Sequence, residues 1–122
     1  MYNENYVKFN VARLLKECGF DLECVGCYST VNHEVTPFNK PVKNSDVGPQ
    51  MYAVPTQQVA RDWLEDEYGL FIEVSRSVNL NGGYHYSYCI LKKDCSYLKR
   101  ESGLFSSNSE AVDDALLYCL TK

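Results

Sequence analysis

The chain lacks several features that would assign it to a class at once. No run of about 18 apolar residues occurs among its 122 residues, which argues against a transmembrane helix. The opening MYNENYVKFN has neither the basic start nor the apolar run of a secretory signal. Its net charge of −4 is the opposite of the basic field that general double-stranded DNA binders carry. We therefore expect a cytoplasmic protein without membrane association.

Catalytic motifs are also missing. The chain contains no GxSxG, HExxH or phosphate-binding loop motif and has only two histidines, His33 and His85. His33 precedes Glu34 in a predicted loop and could form half of an acid–base pair. His85 could face Glu73 across a hairpin. Because neither histidine lies beside a recognisable nucleophile, we expect no enzymatic activity and no cofactor.

The six cysteines are many for a cytosolic protein and would suit three disulfides in a secreted one. Without a secretory signal we expect reduced thiols. Cys24 and Cys27 form a CxxC pair, which is half of a zinc site or a redox pair. Zinc needs four ligands and no second pair is present, whereas a redox pair needs a following helix that the sequence does not predict. We therefore interpret them as two thiols in or beside a strand and expect no metal.

The segment at 54–74, VPTQQVARDWLEDEYGLFIEV, carries the strongest local signals. Pro55 and Thr56 suit the start of a helix, and Gly69 suits its end. The following residues alternate between apolar and polar, which predicts a half-buried strand. The predicted inner face of the helix is Val59, Ala60, Trp63 and Leu64, and that of the strand is Leu70, Ile72 and Val74.

The remaining elements follow from the same rules. A first helix is predicted over 7–18, a strand over 24–31, and a hairpin joins the strand at 70–76 to one at 84–92 through 79–83. Residues 93–104 are predicted to be irregular with room for a short strand. A last helix starts at Ser107, where Ser107 and Glu110 fit a capping box. The first helix has the inner stripe Val11, Leu14, Leu15 and Cys18, and the last has Ala111, Val112, Ala115, Leu116, Cys119 and Leu120.

These elements predict a single α+β domain in which about three helices pack on a small antiparallel sheet containing a hairpin. Residues 36–50 contain three prolines and a glycine, so we predict a long surface loop there. Long loops in compact domains are often functional or mobile.

The predicted returning strand places three tyrosines, Tyr84, Tyr86 and Tyr88, on one face, and Lys92 and Lys93 follow it. Aromatic rings that stack on bases and cations that pair with phosphates are typical of single-stranded nucleic-acid binding, and Lys99 and Arg100 extend the cationic set. Tyrosine also fills half-buried strand positions and is common in protein interfaces. Because the RNP signature is missing, we favour binding to another protein and keep nucleic-acid binding as the alternative.

Acidic residues are concentrated in two predicted helices. Such sets can mimic phosphates or bind cations, but on helices they usually form the solvated face, and that is our expectation here. The two sets are Asp62, Glu65, Asp66 and Glu67, and Glu110, Asp113 and Asp114.

Three motifs resemble a family of small uncharacterised proteins from gut Bacteroides-type bacteria and their phages. They are PTQ-x-V-A-x-x-W-L-x-x-x-Y-G-L-x-I-E-V at 55–74, ARLLKECGF at 12–20 and S-x-S-E-A-V-x-x-A-L at 107–116. The motifs consist of cap and core positions, and the family has no established activity, so no catalytic residue is transferred. The resemblance implies an intracellular accessory protein encoded by a phage or mobile element.

Overall fold

A computed structural model describes residues 5–29 and 35–121. None of the helices in these two ranges is long and apolar enough to cross a membrane. In chain order the elements are α1 (Phe9–Glu17), β1 (Cys24–Ser29), β2 (Val35–Val42), a 3-10 helix (Asn44–Asp46), β3 (Met51–Ala53), α2 (Gln57–Tyr68), β4 (Phe71–Val78), β5 (Tyr84–Leu91), β6 (Tyr97–Phe105) and α3 (Asn108–Leu120).

The strands form two antiparallel three-stranded sheets, ordered β2-β1-β3 and β4-β5-β6. The predicted α+β class, its three helices and its hairpin are confirmed. The prediction differs in one respect, because the strands divide into two sheets. Each sheet is built from three strands that follow one another in the sequence.

Helix α3 lies at the centre of the domain. It contacts α1, α2 and all three strands of the second sheet. Its predicted inner face is confirmed, since all six of those residues are buried. Helix α2 adds Trp63, whose ring meets Phe20 edge to face at 5.4 Å between centroids. Both sheets therefore share one apolar core with the three helices.

The helix ends follow the sequence signals with small departures. The Thr56 hydroxyl oxygen accepts the Val59 N–H at 3.3 Å, and Gly69 ends α2 in the left-handed region at a φ of 66°. Val59 itself is exposed, so its predicted place on the inner face is wrong. At α3, Ser107 caps the Glu110 N–H at 3.2 Å. The return bond is displaced by one residue, because Glu110 accepts the N–H and hydroxyl of Ser106.

The predicted loop at 36–50 is wrong as far as Val42, because residues 35–42 form strand β2. An edge strand needs hydrogen bonds on one side only, so Pro37 and Pro41 are tolerated there. The following segment is anchored by Asn44, which is buried. Its amide donates to the Phe20 carbonyl at 2.7 Å, and its oxygen accepts the Ala53 N–H at 2.8 Å. Strand β6 is also longer than the short strand predicted within 93–104.

Candidate functional site

Strands β4 and β5 form a hairpin that pairs along its whole length, from Phe71 opposite Leu91 to Val78 opposite Tyr84. In its turn the Asn79 N–H donates to the Gly83 carbonyl at 2.7 Å. Gly82 has a φ of 94°, a conformation that favours glycine. The turn residues therefore fix the register of the two strands, as the sequence predicts.

The outer half of this hairpin extends beyond the core. Ile72, near the start of β4, is buried, whereas Ser75, Arg76, Ser77 and Val78 are all exposed. Because successive strand residues point to opposite faces, both faces of β4 meet solvent there. We call residues 75–85 the hairpin arm.

The end of the hairpin arm is apolar. The exposed area relative to the reference value for each residue type is 78% for Val78, 110% for Leu80 and 56% for Tyr84, so Leu80 is fully exposed. The Arg76 guanidinium lies over the Tyr84 ring, 5.0 Å from its centroid, and Tyr86 meets the same ring edge to face at 6.0 Å. Tyrosine and arginine are enriched among the residues that dominate binding energy in protein interfaces. The arm therefore presents two aliphatic side chains beside a stacked arginine–tyrosine pair.

The three predicted tyrosines differ sharply in exposure along β5. Tyr84 is exposed, Tyr86 is half-buried against the core, and Tyr88 is only 3% exposed. The Tyr88 hydroxyl donates to Asp114 on α3 at 2.8 Å. Tyr88 therefore does not extend the exposed tyrosine face, because α3 covers this end of the strand. Of the three rings, those of Tyr84 and Tyr86 remain available for stacking on the exposed part of the hairpin.

Lys92 and Lys93 are exposed, but they lie at the opposite end of β5 from Tyr84. At about 3.4 Å per residue, the eight steps from Tyr84 to Lys92 span about 27 Å. The lysines follow the strand into the turn before β6, where the Lys92 N–H donates to the Ser96 carbonyl at 2.9 Å. The predicted tyrosines and lysines therefore do not form one compact stacking and phosphate-binding surface.

Of the two histidines, the structure describes only His85. His33 and Glu34 lie outside the described residues. The predicted approach of His85 to Glu73 is wrong: His85 pairs with Ser77 in the hairpin, and its Nδ1 is 2.5 Å from the Asn79 side-chain oxygen. Cys89 is the residue opposite Glu73, and its thiol donates to that carboxylate at 3.7 Å.

Cys24 and Cys27 both lie on β1, as interpreted, and both are buried. Burial raises the pKa of Cys24 to about 11 and also raises the pKa of Cys27. Because the thiolate is the nucleophile and the metal ligand, protonation at neutral pH opposes both roles. In the two described ranges, no three histidine, cysteine or acidic side chains come together as a metal site.

The acidic residues divide between the two helices. On α2, Asp62, Glu65, Asp66 and Glu67 are exposed, which confirms the predicted solvated face. On α3 the prediction is wrong for Asp113, which is 3% exposed, and for Asp114, which is half-buried and bonded to Tyr88. The sequence placed their carboxylates near the start of a helix but gave no sign of this burial.

Comparisons of the chain with protein-family models, curated proteins and solved structures found no match.

Proposed function

We propose that this protein is a small, non-catalytic accessory module that acts inside the cell by binding another protein. The observation that carries the proposal is the exposed apolar end of the hairpin arm. The motif resemblance described above adds a phage or mobile-element context. A membrane or a cofactor has no part in the proposed function.

Val78 and Leu80 are the two exposed aliphatic residues at the end of the hairpin arm. Full burial of an aliphatic side chain of this size is favourable by about 1.5–3 kcal/mol. The arm's two-residue apolar end would therefore gain substantially from insertion into a partner's pocket. Arg76 stacks on Tyr84 and needs little further ordering to pair with a carboxylate at the pocket's rim.

The test begins with tagged protein exposed to host lysate, with and without nuclease, followed by identification of the retained proteins. The retained partner is then purified and its Kd is measured for wild type and for the double variant Val78→Ser, Leu80→Ser. Loss of two buried aliphatic side chains should weaken binding at least tenfold. Both positions are exposed, so the variant should fold normally.

Leu22→Ser is the matched control, since Leu22 is also an exposed aliphatic residue but lies outside the hairpin arm. It should bind the partner as wild type does. Equal binding by the double variant would refute the role of the arm. Retention that disappears after nuclease treatment would instead favour the alternative, single-stranded nucleic-acid binding, with Tyr84 and Tyr86 as the remaining stacking surface.

A further inference from the structure

Strand β4 forms one edge of the second sheet, whose strands are ordered β4-β5-β6. It pairs with β5 along its whole length, from Phe71 to Val78, without a register shift. No strand in the described ranges pairs with its other side. An edge strand of this kind presents backbone groups that can pair with a further strand.

The pairing of β4 with β5 shows which backbone groups lie on that edge. In an antiparallel pair, successive residues alternate between bonding to the neighbouring strand and pointing away from it. The Asn79 N–H donates to the Gly83 carbonyl, so the odd-numbered residues of β4 bond to β5. The Ile72 carbonyl accepts the Arg61 guanidinium at 2.6 Å, which places the even-numbered residues on the edge. The later edge positions are Val74, Arg76 and Val78.

These three edge positions have no hydrogen-bond partner for their backbone groups among the residues that the structure describes. Arg61 caps the preceding edge position, Ile72, and reaches no further along the strand. Val74 is half-buried, and Arg76 and Val78 are exposed. Each of the three residues therefore offers one N–H and one C=O to a partner, along a stretch that leads into the hairpin arm.

The outer edge of the first sheet is protected in a way that β4 is not. Strand β2 contains Pro37 and Pro41, and its pairing with β1 has a register shift. Prolines and bulges are common devices that prevent a further strand from adding to an edge. Strand β4 contains no proline and pairs regularly. Its backbone therefore suits the addition of a strand.

The side chains at the three edge positions define the sequence that such a strand needs. They share one face of the sheet, because strand residues alternate with a period of two. Arg76 lies between Val74 and Val78 on this face, and its guanidinium is stacked on Tyr84. Opposite charges and apolar pairs directly across two strands are favourable. The complementary strand therefore carries an acidic residue with an apolar residue two positions away on each side.

A second copy of this chain does not match that pattern. Two β4 strands related by a two-fold axis are antiparallel, and full pairing of the three edge positions places the two Arg76 side chains opposite each other. Like charges in that position are destabilising. A shift in one direction brings in Ile72, whose carbonyl already accepts Arg61, and a shift in the other leaves Val74 unpaired.

We propose that an extended segment of the protein partner adds to β4 as a fourth, antiparallel strand. It places an acidic residue opposite Arg76 and apolar residues opposite Val74 and Val78. This inference rests on the proposed function, since it specifies the form of the protein that the hairpin arm binds. Main-chain hydrogen bonds provide the affinity, and alternate side chains provide the specificity.

The peptide acetyl-KVTETVK-amide has the required pattern, and its titration into ¹⁵N-labelled protein at neutral pH and fixed ionic strength tests the proposal. We expect saturable downfield shifts of the amide protons of Val74, Arg76 and Val78, whose N–H groups would donate to peptide carbonyls. The Ser75 and Ser77 amides, which face β5, should shift less. Shifts of equal size at all five amides, or shifts that do not saturate, would overturn the proposal.

N-methylation of the peptide separates strand addition from simple apolar contact. Methyl groups on its glutamate and its second valine replace two N–H donors that face β4, and they should weaken binding at least about fivefold. Methyl groups on the two threonines are the matched control, because those N–H groups face away from β4. The control peptide should bind as the parent does. Equal Kd values for the two methylated peptides would refute strand addition.

Charge reversal tests the residue opposite Arg76. The variant Arg76→Glu should bind the acidic peptide at least about threefold more weakly than wild type and should prefer acetyl-KVTKTVK-amide. Arg13→Glu makes the same charge change at an exposed position of α1 and should keep the wild-type preference. A preference that Arg76→Glu leaves unchanged would refute the proposed position of the acidic residue.

Failure of strand addition and failure of the proposed function have different signatures. If the peptides do not bind but Val78→Ser, Leu80→Ser loses the partner retained from lysate, strand addition is refuted and the hairpin arm stands as a protein-binding surface. If the peptide binds as expected but the double variant retains the partner, the edge is supported and the role of the arm's end is refuted. Shifts of the same amides at higher protein concentration without peptide would assign the edge to a second copy and overturn the proposal.

Discussion

Replacing Asn44 by alanine should lower the free energy of unfolding by about 2–6 kcal/mol, since each of two buried backbone groups left without a partner is unfavourable by about 1–3 kcal/mol. The two groups are the Phe20 carbonyl and the Ala53 N–H, both of which bond to the Asn44 side chain. They belong to the segment after α1 and to strand β3. The substitution therefore removes the side-chain bridge between the segment after α1 and strand β3.

The conservative variant Asn44→Asp gives a sharper test. Its carboxylate can still accept the Ala53 N–H, but its second oxygen faces the Phe20 carbonyl. The folded protein then holds a proton on this carboxyl more tightly than the unfolded chain, so the pKa is raised by folding. By linkage, the variant's stability should rise relative to wild type as pH falls from 7 towards 4.

Urea denaturation followed by tryptophan fluorescence measures these differences, because Trp63 lies in the core. Asn108→Ala, at an exposed position, is the control and should change stability by less than about 0.5 kcal/mol. A fall of less than about 1 kcal/mol in the free energy of unfolding of Asn44→Ala would refute the prediction. A pH profile for Asn44→Asp that runs parallel to that of wild type would also refute it.

Three further predictions concern other polar and backbone features. Tyr88→Phe removes the hydrogen bond to Asp114 and should destabilise the protein by about 1 kcal/mol in urea denaturation; no change would show that the bond contributes nothing. Cys95 has a φ of 68°, so Cys95→Gly should unfold about 0.5 kcal/mol less readily than Cys95→Ser, and the reverse order would contradict this. Folding raises the pKa of Asp113 above its ordinary 3.8, so wild type should lose stability relative to Asp113→Asn as pH rises above about 4. Parallel urea series from pH 3.5 to 7 measure that difference, which a constant offset would disprove.

Elements with complete local signals were predictable from the sequence. Helix α2 has a capping threonine, an amphipathic middle and a terminal glycine, and only Val59 departs from its predicted face. The hairpin turn at 79–83 and the inner face of α3 also depend on neighbouring residues alone. Local backbone preference and packing agree in these segments, which makes their prediction reliable.

Features that depend on distant partners could not be predicted. Strand β2 contains prolines that exclude it from the middle of a sheet, and only its edge position explains how it forms. The division into two sheets is likewise a matter of long-range pairing. Asn44 lies within the predicted loop, and no local feature of the sequence indicates that its amide reaches Phe20.

The exposure of the candidate site residues also depends on distant packing, so the sequence predicted it only in part. Strand alternation correctly places Tyr84, Tyr86 and Tyr88 on one face, but it does not say how far α3 covers that face. Burial of Asp113 has the same origin, since the sequence predicts a solvated acidic helix turn and the packing of α1 against α3 encloses it. In the sequence, Val78 and Leu80 look like ordinary hairpin residues, because nothing local shows how far the hairpin arm extends beyond the core.

The central position of α3 has a consequence for synthesis on the ribosome. Each sheet consists of strands that are neighbours in the sequence, so each can pair as soon as its own segment has left the exit tunnel. The apolar faces of α1 and β5, however, are covered by α3, which follows every other element. Until residues 108–120 emerge, the nascent chain therefore exposes half-built core surface of the kind that chaperones recognise. Helix α3 therefore completes the core that the earlier elements leave open.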